Sequence, residues 1–384
     1  MTDSKKPTTN STLSRRSIVR SIVGLAAGGA AAKFVPAAAA SGLGSDETCY
    51  DNGRQAPVVR EPLALDVTPR RLRSGDMLVT DQYNARIYLM RNKQVLPFID
   101  VNSWGRSHVW DAIASPDRKR VYLSMSGLRG PSLDYVGIKG MAMIIEVNPT
   151  TGEVLRTFSS VNDAGWPRHR EFIDVTGMVL TADGKRLLAN DFIGFAHRGM
   201  LLAFDLEKDG EMSVFSDGLM EPSGLSADGP DHVLIGNARM PGGSELGGEV
   251  VRLNVHSGER ETLFNINRTT GAMIGVIRLA DGTLIGSISD WPDQVKSEVI
   301  RIDGASKHTT LIQPDLAFFS AQMAPDPEEG FWVAESVSRT LLRLNTDGKV
   351  LDRIAVDGCD DRQRAATQPL ARAFDTLESV RLVA

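Results

Sequence analysis

The stretch "GMVLTADGKRLLANDF" (Gly177–Phe192) carries an apolar run into an Asp-Gly turn, leaves through a second apolar run and stops at an Asp. Four other stretches follow the same order: "DAIASPDRKRVYLSMSG" from Asp111, "GLSADGPDHVLIGNAR" from Gly224, "GVIRLADGTLIGSISDW" from Gly275 and "AQMAPDPEEGFWVAES" from Ala321. Counted by their turns, the units fall at Asp76, Asp117, Asp183, Asp228, Asp281 and Asp326, spaced 41 to 66 residues apart. Self-similarity at that period marks a propeller or solenoid. Short runs rich in Val, Ile and Leu, punctuated by Gly, Asp and Ser, read as antiparallel strands. A third run follows each second one ("ARIYLMR", "MAMIIEVN", "GMLLAFDLE", "GEVVRLNV", "SEVIRID", "RTLLRLN"), and a fourth appears in "GEVLRTFSS" and "GKVLDRIAV". Six units of four strands, with no long amphipathic helix, predict an all-β fold, a six-bladed β-propeller. A TIM barrel would place helices between the strands, and two β-sandwiches would not repeat one unit six times. The tail "FDTLESVRLVA" ends in a strand-like run that is expected to pair with the first blade, so that the chain ends close the ring and remove its exposed edges.

The N-terminal forty residues read differently. "SRRSIVR" (Ser14–Arg20) is followed by the mildly apolar "SIVGLAAGGAAA", then Lys33 and the small-residue tract "AAAASG". That apolar run is well short of the ~20 residues needed to span a bilayer. The segment resembles a twin-arginine (Tat) export signal, which implies cleavage near Ala40 and a periplasmic or secreted product. The expected organisation is therefore a signal peptide at 1–40 and one propeller domain at 41–384. Residues 1–40 hold six Lys/Arg against one Asp, so their removal takes the net charge from −5 to −10. So acidic a protein suits neither nucleic acid nor an anionic membrane surface, and no protein partner is indicated. The two cysteines, Cys49 and Cys359, lie near opposite ends of the mature chain. In an oxidising compartment they are expected to pair, restricting the unfolded chain by about 5 kcal/mol.

Strand direction sorts the residues between two ends of the ring. Inner-strand starts and second-strand ends share one end, and the Asp-Gly turns occupy the other. Asp183, Asp228 and Asp281 thus read as turn formers that bond their own local backbone. The opposite end collects the candidate site together with the long loops. Glu61, Asp111, Asp174 and Glu221 stand at or near successive inner-strand starts, and oxygen ligands gathered in that way suit a divalent cation such as Ca²⁺. Glu61, Asp174 and Glu221 are the expected metal ligands. A metal-free alternative uses His108 with Asp111, Asp191 or Asp290 as proton-transfer groups. Tyr83, Trp110, Asn237, Arg239 and Trp291 are the expected substrate contacts, the aromatics by stacking on an apolar or ring-bearing ligand. Trp332 lies inside a second strand and is expected to pack between blades. Nucleotide, haem and cysteine-zinc signatures are absent from the sequence.

The unit resembles those of gluconolactonase/regucalcin-like and NHL-repeat-like propellers, through the inner-strand starts "EPLAL", "DVTGMVL" and "EPSGLSA" and the turns that follow them. The resemblance covers roughly residues 56–384. It implies a channel metal held by a Glu of the first blade, matched by Glu61, and by Asn and Asp of later inner strands. This chain has Thr176 and Ser223 at those later positions, with Asp174 and Glu221 two residues earlier. The family's Arg-x-Asn-Asp-Gly stretch has no match. The leading expectation is an exported, metal-dependent hydrolase of a lactone or ester at the channel mouth. The alternatives are a metal-poor lyase or tailoring enzyme and a non-catalytic binding or assembly propeller, since propellers host all of these.

Overall fold

A computed structural model of the chain describes residues 65–81, 86–101, 109–125, 143–159, 175–191, 199–239, 246–268, 272–289, 297–303, 308–316, 323–335, 339–356 and 377–383. All of them lie in the compact unit Gly53–Ala384; the other unit, Met1–Asn52, contains none.

The described strands form six antiparallel blades of four strands each, the first extended by a short fifth strand, Asp66–Val67, at its outer edge. From the inside outwards, the second blade is Val109–Ala114, Val121–Met125, Met143–Val147 and Val154–Ser159. The third is Met178–Leu180, Arg186–Asp191, Gly199–Asp205 and Glu211–Leu219. The fourth is Glu221–Ala227, His232–Arg239, Leu246–Asn254 and Arg260–Arg268, and a single parallel pairing, Gly247 with Ala272, links it to the fifth. The fifth is Ala272–Arg278, Leu284–Ser289, Ser297–Asp303 and His308–Leu316, and the sixth Ala324–Pro325, Phe331–Glu335, Thr340–Leu344 and Val350–Ala355.

The first blade is assembled from both ends of the chain. Its inner strand is Leu377–Leu382, paired with Met77–Asp81, followed outwards by Arg86–Arg91 and Gln94–Asp100. Inner strands of consecutive blades touch one another, and the sixth and second both touch Leu377–Leu382, so the ring is closed. The tail therefore pairs as its pattern implied. One expectation is corrected: "EPLAL" does not start the innermost strand of the first blade. That place belongs to Leu377–Leu382, and the residues just after "EPLAL", Asp66–Val67, pair with Gln94–Asp100 at the outer edge.

Each blade is sandwiched between two others, so its middle strands are apolar on both faces instead of alternating. Met77–Asp81, Val121–Met125 and Phe331–Glu335 are buried at every position. Leu78, Ile87 and Leu89 pack against Val109, Leu123 and Met125 of the second blade. The alternate residues Met77, Val79 and Tyr88 pack against Trp332 and Leu341 of the sixth, so Trp332 lies between blades as expected. Six such clusters, one per blade-to-blade seam, make up the core. A fully buried side chain of this kind is worth about 1.5–3 kcal/mol.

The Asp-bearing turns explain the repeated unit. Asp183 Oδ1 accepts from the Thr181 hydroxyl at 2.6 Å and the Lys185 N–H at 3.1 Å; Asp117 does the same with Ser115 and Lys119. Those hydroxyls, followed by the backbone donors, hold both carboxyls below their ordinary range. Asp228 departs from the pattern. Its carboxylate joins Arg252 of its own blade at 2.7 Å and Arg278 of the fifth at 2.6 Å, bridging the seam. Among the described residues, no helix is long and apolar enough to cross a membrane.

Candidate functional site

At the end of the ring opposite the Asp turns, the inner strands share an irregularity. Val109 faces Met125 and Asp111 faces Ser124, leaving Trp110 as an extra residue; Ser223 and Ile274 occupy the same place in the fourth and fifth blades. The closing strand has it too, between the pairs Thr80–Ser379 and Asp81–Leu377. A bulge takes a backbone N–H out of the ladder, and such a buried donor needs another acceptor. In the second and fifth blades a serine near the end of the second strand supplies it, and in the third and fourth an asparagine at the same place binds a backbone N–H just ahead of the inner strand. Ser124 Oγ accepts from Asp111 N at 3.1 Å, Asn190 Oδ1 from Gly177 N at 2.5 Å, Asn237 Oδ1 from Met220 N at 2.9 Å and Ser287 Oγ from Gly275 N at 2.9 Å. Ser124, Asn190 and Ser287 were not among the expected residues. Their signal is the small polar residue recurring late in "VYLSM", "RLLAND", "HVLIGNAR" and "LIGSIS".

These bonds determine what several expected residues do. Asn237 uses Oδ1 on Met220 and donates from Nδ2 to Glu249 Oε1 at 2.7 Å, so it anchors the start of the inner strand that carries Glu221. The Thr176 hydroxyl donates to the Ser223 carbonyl at 2.9 Å and accepts from Asn190 Nδ2 at 3.0 Å. The Ser223 hydroxyl bonds the Glu221 carbonyl at 3.2 Å.

Asp111 is completely buried. It accepts from Ala112 N at 3.0 Å and Met178 N at 2.9 Å, and from Arg381 at 3.0 Å (Nε) and 2.6 Å (Nη2). Arg381 Nη2 also donates to the Met178 carbonyl at 3.2 Å. One side-chain pair thus ties the closing strand to the second and third blades. Four N–H donors on two carboxylate oxygens, two of them from one bidentate guanidinium, describe a structural ion pair. Asp81, also fully buried, pairs with Arg339 of the sixth blade at 2.5 Å. Arg339 has a left-handed backbone (φ 53°), and its carbonyl accepts from Val356 N at 2.8 Å. Burial pushes the neighbouring Tyr88 phenol up, with the Asp81 charge in the same direction and Arg339 and Arg86 opposing it.

Among the described residues, this end also carries the buried acids Asp191 and Glu221, both at 0% exposure, and Glu335 at 9%. Asp191 closes its strand on the side of Leu187 and Ala189, whose cluster lies between the second and third blades. Glu221 starts the inner strand of the fourth blade, and Arg239 ends the second strand half-buried. Tyr83, His108, Asp290, Trp291, Glu61, Asp174, Cys49 and Cys359 lie outside the described residues.

Among the described residues, no three His, Cys, Asp or Glu side chains cluster closely enough to hold a metal ion. The hydroxyls at the two family positions, Thr176 and Ser223, are engaged with backbone carbonyls. A hydroxyl that donates its hydrogen keeps lone pairs on its oxygen, and Glu61 and Asp174, the other expected ligands, lie outside the described residues.

No family model matches the sequence, and no curated protein matches it. Solved structures do resemble the fold. A chain of a nidogen/laminin complex superposes with a TM-score of 0.53 at 10% identity, covering 80% of this chain and 98% of that one. A Bacteroides fragilis protein provisionally named a 6-phosphogluconolactonase superposes with a TM-score of 0.50 at 13% identity, covering 83% and 100%. At such identities the likeness concerns the fold alone. Fold and site together define the class: a six-bladed β-propeller with buried acids gathered at one end of its ring.

Proposed function

We propose that this chain is an exported enzyme that hydrolyses a small lactone or ester at the end of the ring that carries Asp191 and Glu221. The observation that carries the reading is the placing of Asp191, Glu221 and Glu335 at that end, buried on a rigid framework. A positioned carboxylate can take the proton of an attacking water and return it to the departing alkoxide, typically worth 10²–10⁴-fold. The half-buried guanidinium of Arg239 offers donors for the negative charge that develops on the carbonyl oxygen. The fold likeness to the Bacteroides fragilis protein supports a lactone as the substrate class. The "SRRSIVR" segment supports export.

The test is hydrolysis of a panel of sugar lactones and simple esters by the purified protein, with and without EDTA and added Ca²⁺. Turnover that falls at least about 100-fold in Asp191→Asn or Glu221→Gln, with unchanged melting temperature, would support the reading. Absence of turnover across the panel would sink it. Loss of turnover with EDTA, restored by Ca²⁺, would assign the step to a metal held in part by residues such as Glu61 and Asp174.

A further inference from the structure

The opposite end of the ring, where the Asp turns lie, divides by charge. On the first blade Arg71 and Arg73 are exposed, and their backbone is held by Arg91 donating to the Arg71 carbonyl at 2.8 Å and by Arg73 N donating to Asp76 at 2.7 Å. Lys119 is exposed on the inner turn of the second blade. Across the ring the corresponding turns are acidic: Asp281 on the fifth blade and Glu328 and Glu329 on the sixth, all exposed. Of these acids, Glu328 alone reaches a cation of its own blade, Arg343 at 3.4 Å. The turns of the third and fourth blades repeat the contrast in weaker form. Lys185 pairs with Glu207 at 2.9 Å and Asp231 with His256 at 3.1 Å.

The order of the blades turns this contrast into self-complementarity. In a closed six-membered ring the second blade stands opposite the fifth. Consider two copies brought together by these ends about a two-fold axis lying in the interface, perpendicular to that diameter. The axis sets blade one of each copy over blade six of the other, two over five, and three over four. Arg71 and Arg73 then meet Glu328 and Glu329, Lys119 meets Asp281, and Lys185 meets Asp231, each contact occurring twice. Such an isologous pairing closes on itself and does not propagate. We infer that this end of the ring is a self-association surface, its occupant a second copy of this chain held by opposed charge. A uniformly anionic partner would fit the basic half and be repelled by the acidic half, which is why the second copy is favoured. The arrangement leaves the carboxylate-bearing end of each copy facing outward.

The test is the solution mass of the purified protein by light scattering and sedimentation. At about 50 mM salt the expected species is a dimer, and at about 500 mM, where surface charges are screened, a monomer. Arg71→Glu with Arg73→Glu and, separately, Glu328→Lys with Glu329→Lys should each weaken the dimer by roughly tenfold or more. Mixing the two variants in equal amounts should restore it, because both contacts of the mixed pair are again between opposite charges. Circular dichroism melts check that each variant is folded. A wild-type protein that is monomeric at low salt overturns the inference. So does a dimer that both variants retain, or a mixture that fails to recover it.

Discussion

Asp183 and Asp228 share a place in the repeat and differ in work. Asp183 is exposed and bonds the hydroxyl and N–H of its own turn, both of which an amide oxygen can accept. Asp183→Asn should leave the melting temperature nearly unchanged, and Asp183→Ala should cost about 0.5–1 kcal/mol by losing the turn's acceptor. Asp228 is nearly buried between two guanidiniums. Burial pushes its carboxyl up, but Arg278 and Arg252 more than offset this and hold it low. Asp228→Ala should cost roughly 2–3 kcal/mol by leaving two half-buried cations without their partner. The lowered carboxyls of Asp117, Asp183 and Asp228 also set a pH dependence. A group held below its unfolded value contributes stability above that value and loses it as pH falls through the folded one. Chemical denaturation should therefore show a plateau near neutrality and a decline below about pH 4. Asp228→Asn should flatten that decline.

At the scale of the strand, the inner-strand bulge and its polar clamp govern the carboxylate-bearing end. The bulged Ile274 of the fifth blade fits only because the fourth presents Gly236 there. A methyl group on Gly236 would lie 2.3 Å from the Ile274 carbonyl oxygen. Gly236→Ala should destabilise by about 1–3 kcal/mol, read by denaturant titration, since two strand backbones must part. The strands themselves were legible in the sequence because each carries its own apolar run and turn. The bulges were not: inserting one residue leaves composition unchanged, and its partner lies on another strand. Asn237 shows the consequence. Its place at a strand end was legible, but not that its amide holds Met220 and Glu249.

The closed ring is a property of the whole molecule, and Arg381 is where it can be tested. It lies 270 residues from Asp111 and joins three blades. Arg381→Met should destabilise by roughly 3–5 kcal/mol, because it leaves a fully buried carboxylate without its counter-ion. Ending the chain before Leu377 should do more. The second strand of the first blade would lose its inner partner, and a scanning melt should show a broadened transition in place of a cooperative one. Hydrogen bonding, periodicity and turn chemistry act over a few residues, so the sequence alone determined the strands, their grouping in fours, the six units and the direction in which each turn points. Tertiary structure decided which strand is innermost in the first blade and that Asp111 belongs to Arg381. It likewise gave the turn acid Asp228 its partner on the next blade. Those outcomes depend on which distant residues a buried charge finds once water is gone, and the energy of a desolvated charge is set by its neighbours in space.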